Sequence, residues 1–213
     1  MKLSALVRTR TAALAVAASA ALSFAVPAAA APSVQLTKGA TEVALYPSFV
    51  DALGSLGVAP GNVLPGSLIP TSNSAKVAFP IPTGELDADA KNGPKLEILH
   101  SGGLTLTAGN TRVALTSFII ENLGGHLRLT GVVKANDTIV GRIPLFRVVL
   151  TQGPEVIPSS GGAAHLSIKG AKLSLTQTAA DALNGAFKVT AFKSGFPIGV
   201  AKVSATVRNL DGG

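Results

Sequence analysis

Three histidines, one tyrosine and eleven carboxylates carry whatever side-chain chemistry this 213-residue chain can perform, since it has no cysteine at all. Without cysteine there is no disulfide framework, no thiolate nucleophile, no zinc–thiolate centre and no iron–sulfur cluster. His100, His126 and His165 lie far apart, and no H-E-x-x-H, G-x-S-x-G, G-x-G-x-x-G or phosphate-loop pattern accompanies them. His100 is followed by Ser101, but neighbours on a strand point to opposite faces, so they make a poor nucleophile–base pair. Glu85, Asp87 and Asp89 alternate with Leu86, Ala88 and Ala90, which aligns three carboxylates on one face just before Asn92-Gly93. A calcium loop would need its glycine one place earlier and an acid at the twelfth position, so a solvated strand edge is the better reading. Asn136-Asp137-Thr138 fits the glycosylation triplet and reads as a turn. Enzymes cluster titratable groups, and this chain offers few to cluster, so a non-enzymatic role is expected. Two rare residues stand out: Tyr46, at the start of a helical stretch, and His100, at the end of a strand-like one.

The elements that position them are mostly strands. Leu104-Thr105-Leu106-Thr107 and Arg112-Val113-Ala114-Leu115-Thr116 alternate apolar and polar residues, and His126 to Lys134 continues the pattern with Arg128, Thr130 and Lys134 turned outward. Through the turn Ala135-Asn136-Asp137 the chain enters a further segment, Thr138 to Leu150. The apolar phase slips between Leu115 and Phe118, which predicts a bulge near Thr116-Ser117. It slips again at Pro144, which cannot donate to a central ladder and predicts a bend or an edge. Gly102-Gly103, Gly109-Asn110 and Gly124-Gly125 supply turns that need positive φ. Residues 95–150 therefore read as an antiparallel meander, and Pro154 to Gly162 as a loop.

Two helices interrupt the strands. Pro47 to Leu56 has proline in its first turn and Phe49, Val50, Leu53 and Leu56 along one stripe. Thr176 to Leu183 follows a polar cap and meets Asn184-Gly185, good residues for a helix end. The two regions resemble each other at a constant offset of 130: Val43-x-Leu45 then Asp51-Ala52-Leu53, and Leu173-x-Leu175 then Asp181-Ala182-Leu183. Each is followed by Ala-Lys-Val, at Ala75 and at Ala201. This reads as strand–helix–loop–strand twice, with the helices covering the ends of the sheet and the first and last strands paired.

Residues 1–30 read as a removable leader. Lys2, Arg8 and Arg10 precede an apolar run from Thr11 to Val26, then Pro27 and a tract of alanines with a cleavage site near Ala30. An N-terminal membrane anchor is the alternative, though some 16 apolar residues are short against the roughly 20 a span needs. With the leader gone, 15 basic residues face 11 acidic ones, too slight and too scattered an excess for nucleic-acid binding. The mature chain, residues 31–213, is expected to be a single secreted β-rich domain. Its fold class is mainly antiparallel β, a sandwich or curled sheet with two short covering helices, and its stability comes from core burial alone.

The segment His100-Ser101-Gly102-Gly103-Leu104-Thr105-Leu106 has the form H-x-G-x-L-x-L, and Ser48-Phe49-Val50-Asp51 opens a helix some fifty residues earlier. Together these resemble the haem-transport-associated domain of secreted and surface proteins of actinobacteria, over about residues 41–150. The resemblance implies haem binding: in that family a tyrosine of the helical segment ligates the iron, and the histidine of the H-x-G segment hydrogen-bonds to it. Carried over by position, the histidine is His100 and the helix aromatic is Phe49, while the family's tyrosine falls near Ala52. Tyr46, one and a half turns earlier, is the available phenol, and a tyrosinate suits ferric iron. The candidate binding residues are thus Tyr46, Phe49 and His100, with haem or another apolar molecule as ligand and no metal of its own. In the plainer alternative Tyr46 packs at the helix mouth and His100 is a strand-end residue with a satisfied hydrogen bond. The matching functional alternative is an extracellular surface or structural protein, associating with the cell envelope or with itself and lacking a small-molecule site.

Overall fold

Period-two alternation in the sequence becomes a sheet that curls until it closes. The computed structural model describes residues 33–87, 95–123, 125–159 and 163–209. In chain order the elements are β1 (Ser33–Leu45), α1 (Pro47–Ser55), β2 (Ala59–Val63), β3 (Ser67–Pro70), β4 (Ala75–Ile81), β5 (Thr83–Asp87), β6 (Lys95–Leu99), β7 (Gly103–Ala108), β8 (Thr111–Leu123), β9 (His126–Ala135), β10 (Thr138–Val149), β11 (Glu155–Pro158), β12 (Ala164–Leu175), α2 (Gln177–Phe187) and β13 (Pro197–Asn209). Every pairing is antiparallel. Running round the ring, β12, β10, β9, β8, β6, β5, β1 and β13 are neighbours, and β13 returns to β12. This is an eight-stranded closed barrel, so the curled-sheet expectation is carried to closure and a two-layered sandwich is not formed. The last strand makes the difference: β13 is hydrogen-bonded along β1 on one side and β12 on the other, leaving no free edge where the ends of the ring meet.

At one end the barrel widens. Strand β1 pairs with β5 over Ser33–Leu36 and then with β4 over Gly39–Ala44. Strand β8 forks in the same way, with β6 over Ile119–Glu121 and with β7 over Thr111–Thr116. The predicted bulge lies at the β8 fork: the register against β9 jumps between Thr116 and Ile119, and Ser117 takes φ 51°. Pro144 likewise sits at a register break in β10. The flaps β4–β3 and β7–β2 splay from the two forks and meet at the turn after Val63, where the Gly66 N–H donates to the Val63 carbonyl at 2.9 Å. The β6–β7 connection passes so close to that turn that a Cβ on Gly102, itself at φ +83°, would run into the Gly66 backbone. Glycine is therefore dictated there by both conformation and space.

Because β1 and β12 are each antiparallel to β13, they run in the same direction. The helices that follow them consequently lie at the same end of the barrel, over the widened mouth, and do not cover opposite ends as expected from the sequence. The internal similarity thus marks two parallel strand–helix units on either side of β13. Its second Ala-Lys-Val falls inside β13, not at its start, because β13 already begins at Pro197. Helix α2 also outruns its expected end, continuing through Asn184-Gly185 to Phe187 with a left-handed cap at Lys188. Asn184 instead pins the loop beyond the helix: its side chain donates to the Phe192 carbonyl at 2.8 Å and accepts from the Phe192 N–H at 3.1 Å. The expected loop from Pro154 holds the short edge strand β11 against β12. Glu85 is exposed on β5, whereas Asp89, Asn92 and Gly93 lie outside the described residues, as does the leader.

Inward positions carry the core. Leu36, Ile98 and Leu166 have no exposed surface, and Leu53, Leu86, Ile168 and Val203 have almost none. Each contributes about 1.5–3 kcal/mol by leaving water. In α1 nothing approaches within 4 Å of a Cβ built on Gly54. Gly54→Ala should therefore stabilise the domain by about 0.5–1 kcal/mol through helix propensity, read as a rise in thermal midpoint.

Candidate functional site

The barrel interior encloses a cavity of about 330 Å³. It is bounded by inward residues of the ring, by both flaps and by the two helices, through Phe49 and Leu53 of α1 and Ala182 and Ala186 of α2. Among the described residues only Thr41, His100 and Asp181 bring polar side chains to its lining, and Asp181 is exposed on α2. Asp181, Gly185 and Val140 of β10 are all exposed, so the cavity opens between α2 and β10. Over the mouth Phe49 meets Phe196 edge-on at 6.3 Å, and Phe196 meets Phe192 at 5.9 Å, tying α1 to the segment beyond α2. A hydrocarbon-lined space of this size is costly without contacts: at about 24 cal/mol per Å³ it would forfeit roughly 8 kcal/mol, comparable with a whole domain's stability.

The two buried polar side chains of the lining are paired. His100 sits where β6 passes into β7, between the two forks, and its backbone N–H donates to the Phe118 carbonyl at 2.9 Å. Its ring Nδ1 lies 3.2 Å from the same carbonyl, and its Nε2 lies 2.7 Å from Thr41 Oγ1. A carbonyl only accepts, so Nδ1 carries the proton, and with burial keeping the ring neutral at pH 7, Nε2 accepts from the Thr41 hydroxyl. Burial pushes the His100 pKa down to about 4, opposed by the backbone hydrogen bonds to Phe118 and Ile98. Phe118 and Phe79 stack edge-on at 4.9 Å, and both line the cavity with His100.

Of the three residues singled out in the sequence, Phe49 and His100 share this cavity, and Tyr46 is not among the residues lining it. Tyr46 is the half-buried N-cap of α1, its N–H donating to the Ile198 carbonyl at 2.9 Å. Thr41 escaped the sequence reading, although a signal was present: Thr41, Val43 and Leu45 are the inward phase of β1, and threonine is the odd member. Haem does not fit this lining as the family resemblance would place it. Near Ala52, where the resemblance would put the family's tyrosine, this chain has none; among the described residues no phenol and no lysine or arginine lines the cavity, and both His100 nitrogens are engaged. Among the described residues, no three His, Asp or Glu come together as a metal site, and no helix is long and apolar enough to cross a membrane.

No family model matches the sequence, and no curated protein does. Solved structures do resemble it. The C-terminal domain of HtaA from Corynebacterium glutamicum superposes with a TM-score of 0.55 at 18% identity, over 82% of this chain and 99% of that one. The heme-binding protein HtaB from the same organism gives 0.47 at 13% identity, over 83% and 96%. A domain-swapped dimer of a variant HtaA domain gives 0.45 at 18%, over 75% and 90%. What is held in common at such identities is architecture: this chain has the barrel fold of the HtaA C-terminal domain, a distant Hta-like likeness.

Proposed function

We propose that this protein is a secreted, non-enzymatic binding module that holds an apolar ligand inside its barrel. The observation that carries the reading is the cavity itself, whose accessible lining is almost wholly hydrocarbon and which opens between α2 and β10. Burial of ligand surface against such a wall is the dominant source of affinity for small-molecule sites. Phe49 and His100 belong to that wall, with His100 fixed by Thr41 so that its one polar edge is satisfied without the ligand. Export follows from the basic–apolar leader of residues 1–30, and mass spectrometry of culture medium, showing an N-terminus near Ala31, tests it.

Haem is the ligand that the His100 segment and the likeness to Hta domains suggest, and mixing purified protein with haemin decides its place. A haemin spectrum that the protein leaves unchanged is expected from the missing phenol and the engaged imidazole. A sharp Soret band that is lost in Tyr46→Phe would restore haem as the ligand and move the site to the N-terminus of α1. The alternative of an association protein draws on exposed Ile69 at the β3 edge and Val156 and Ile157 at the β11 edge. Both strands have four residues and end in proline, which blunts edge-to-edge pairing.

A further inference from the structure

We propose that the ligand of this cavity is a single unbranched hydrocarbon chain of about a dozen carbons, threaded along the barrel with its polar end at the α2–β10 mouth. The inference rests on the binding-module reading and narrows it to one chemical class. Size comes first: an apolar cavity of about 150 Å³ accepts a benzene ring, so about 330 Å³ accepts roughly twice as many carbons. Shape comes second. Val113, Leu115, Phe118 and Ile120 of β8 all line the space, and this span of strand, shortened by its bulge at Ser117, extends on the order of 20 Å. That volume drawn out over that length is an elongated space, which a flexible chain fills along its whole run better than a compact ring system does.

Polarity comes third. Among the described residues the only buried polar side chains of the lining are Thr41 and His100, bonded to each other and, through His100 Nδ1, to the Phe118 carbonyl, so they leave no donor or acceptor awaiting a partner on the ligand. A chain with a head group part-way along would lose its hydration there without recompense. The polar end therefore belongs at the mouth, beside exposed Asp181 and Gly185 of α2. A free fatty acid and a lysophospholipid present the same chain, and the site recognises that shared part.

The test is displacement of 11-(dansylamino)undecanoic acid fluorescence, a probe whose chain is within the proposed length, by n-alkanols of eight, ten, twelve and fourteen carbons. Each added methylene should tighten binding roughly fourfold while the bore is filling, and the gain should stop near the dozen-carbon length. Dodecanoate and a dodecanoyl lysophospholipid then separate the sources: similar displacement assigns recognition to the chain alone, and displacement by dodecanoate only assigns the site to free acids. Ala182→Trp and Gly185→Trp place a ring at the mouth, and a Cβ on Gly185 meets nothing within 4 Å, so the fold should survive. Both should weaken the probe at least tenfold with a urea midpoint no lower than the native one. Affinity independent of chain length, or retained in both tryptophan variants, overturns the chain proposal. In that event, haemin or another compact apolar compound that binds and is excluded by the same variants would leave the binding-module reading standing. No binding of any apolar compound sinks both.

Discussion

Lowering the pH from 7 to 4 should remove about 3 kcal/mol of folding stability through His100 alone. The imidazole is buried among Phe79, Phe118 and Thr41, and its pKa falls from 6.5 to about 4 in the folded protein. Since the folded value lies below the unfolded one, the unfolded chain binds the proton first. Stability is complete above about pH 6.5, falls as pH drops from there, and levels off below about pH 4. Two and a half pH units of such linkage correspond to about 3 kcal/mol. The loss does not come from the Thr41 bond, because the hydroxyl can turn and accept from a protonated Nε2. It comes from placing a cation in a hydrocarbon wall, where no carboxylate of the lining faces it, Asp181 being at the solvent-exposed mouth. Urea midpoints measured at pH 7, 5.5 and 4 for the native protein and for His100→Gln check this. The glutamine variant should lack the native protein's extra slope between pH 6.5 and 4; parallel slopes in the two proteins would refute the burial argument. If the hydrocarbon chain binds as proposed, it raises the midpoint at every pH and deepens the contrast, since it shields His100 further from water.

How far the sequence spoke depended on whether a feature was local. The β8 bulge could be read from a phase slip between Leu115 and Phe118 because alternation is a property of neighbouring residues, and the structure puts Ser117 there at positive φ. Helix α1 was legible from Pro47 and its apolar stripe for the same reason. Closure of the barrel was half legible: the internal similarity led to the pairing of first and last strands, and β13 does lie along β1. Its second pairing, with β12, is a contact that no periodicity encodes. The position of the two helices at one mouth is a consequence of that closure. Even so, the similarity between Val43–Leu53 and Leu173–Leu183 marks two parallel strand–helix units. At the cavity, His100 was singled out by its rarity and its H-x-G segment, but its partner Thr41 lies 59 residues away. What hid Tyr46's actual place was helical geometry: rarity singled it out, whereas the inward stripe of α1 runs through Phe49 and Leu53.

That same closure makes Gly39 a position where even the smallest added group should cost a great deal. Gly39 lies opposite Ala205 on the β1–β13 seam and opposite Ile81 on the β1–β4 seam, just past the irregularity between Leu36 and Lys38. A Cβ at this position would press into the Ser204 carbonyl oxygen and would lie 2.7 Å from the Ala205 Cα and 2.8 Å from its Cβ. Backbone atoms held in a ladder cannot swing aside as the end of a flexible side chain would. Relief therefore requires β13 to move off β1, and β13 is the strand that closes the ring. Overpacking of this kind costs about 1–3 kcal/mol where neighbours can yield and more where they cannot. Gly39→Ala should fall at or above about 3 kcal/mol, and Gly39→Val should fail to fold. Gly54→Ala, the same chemical change in α1 with open space around it, provides the control of opposite sign. A Gly39→Ala protein with native urea midpoint would mean that the two strands are not held this closely, and with that the closed wall needed to enclose a ligand would be lost.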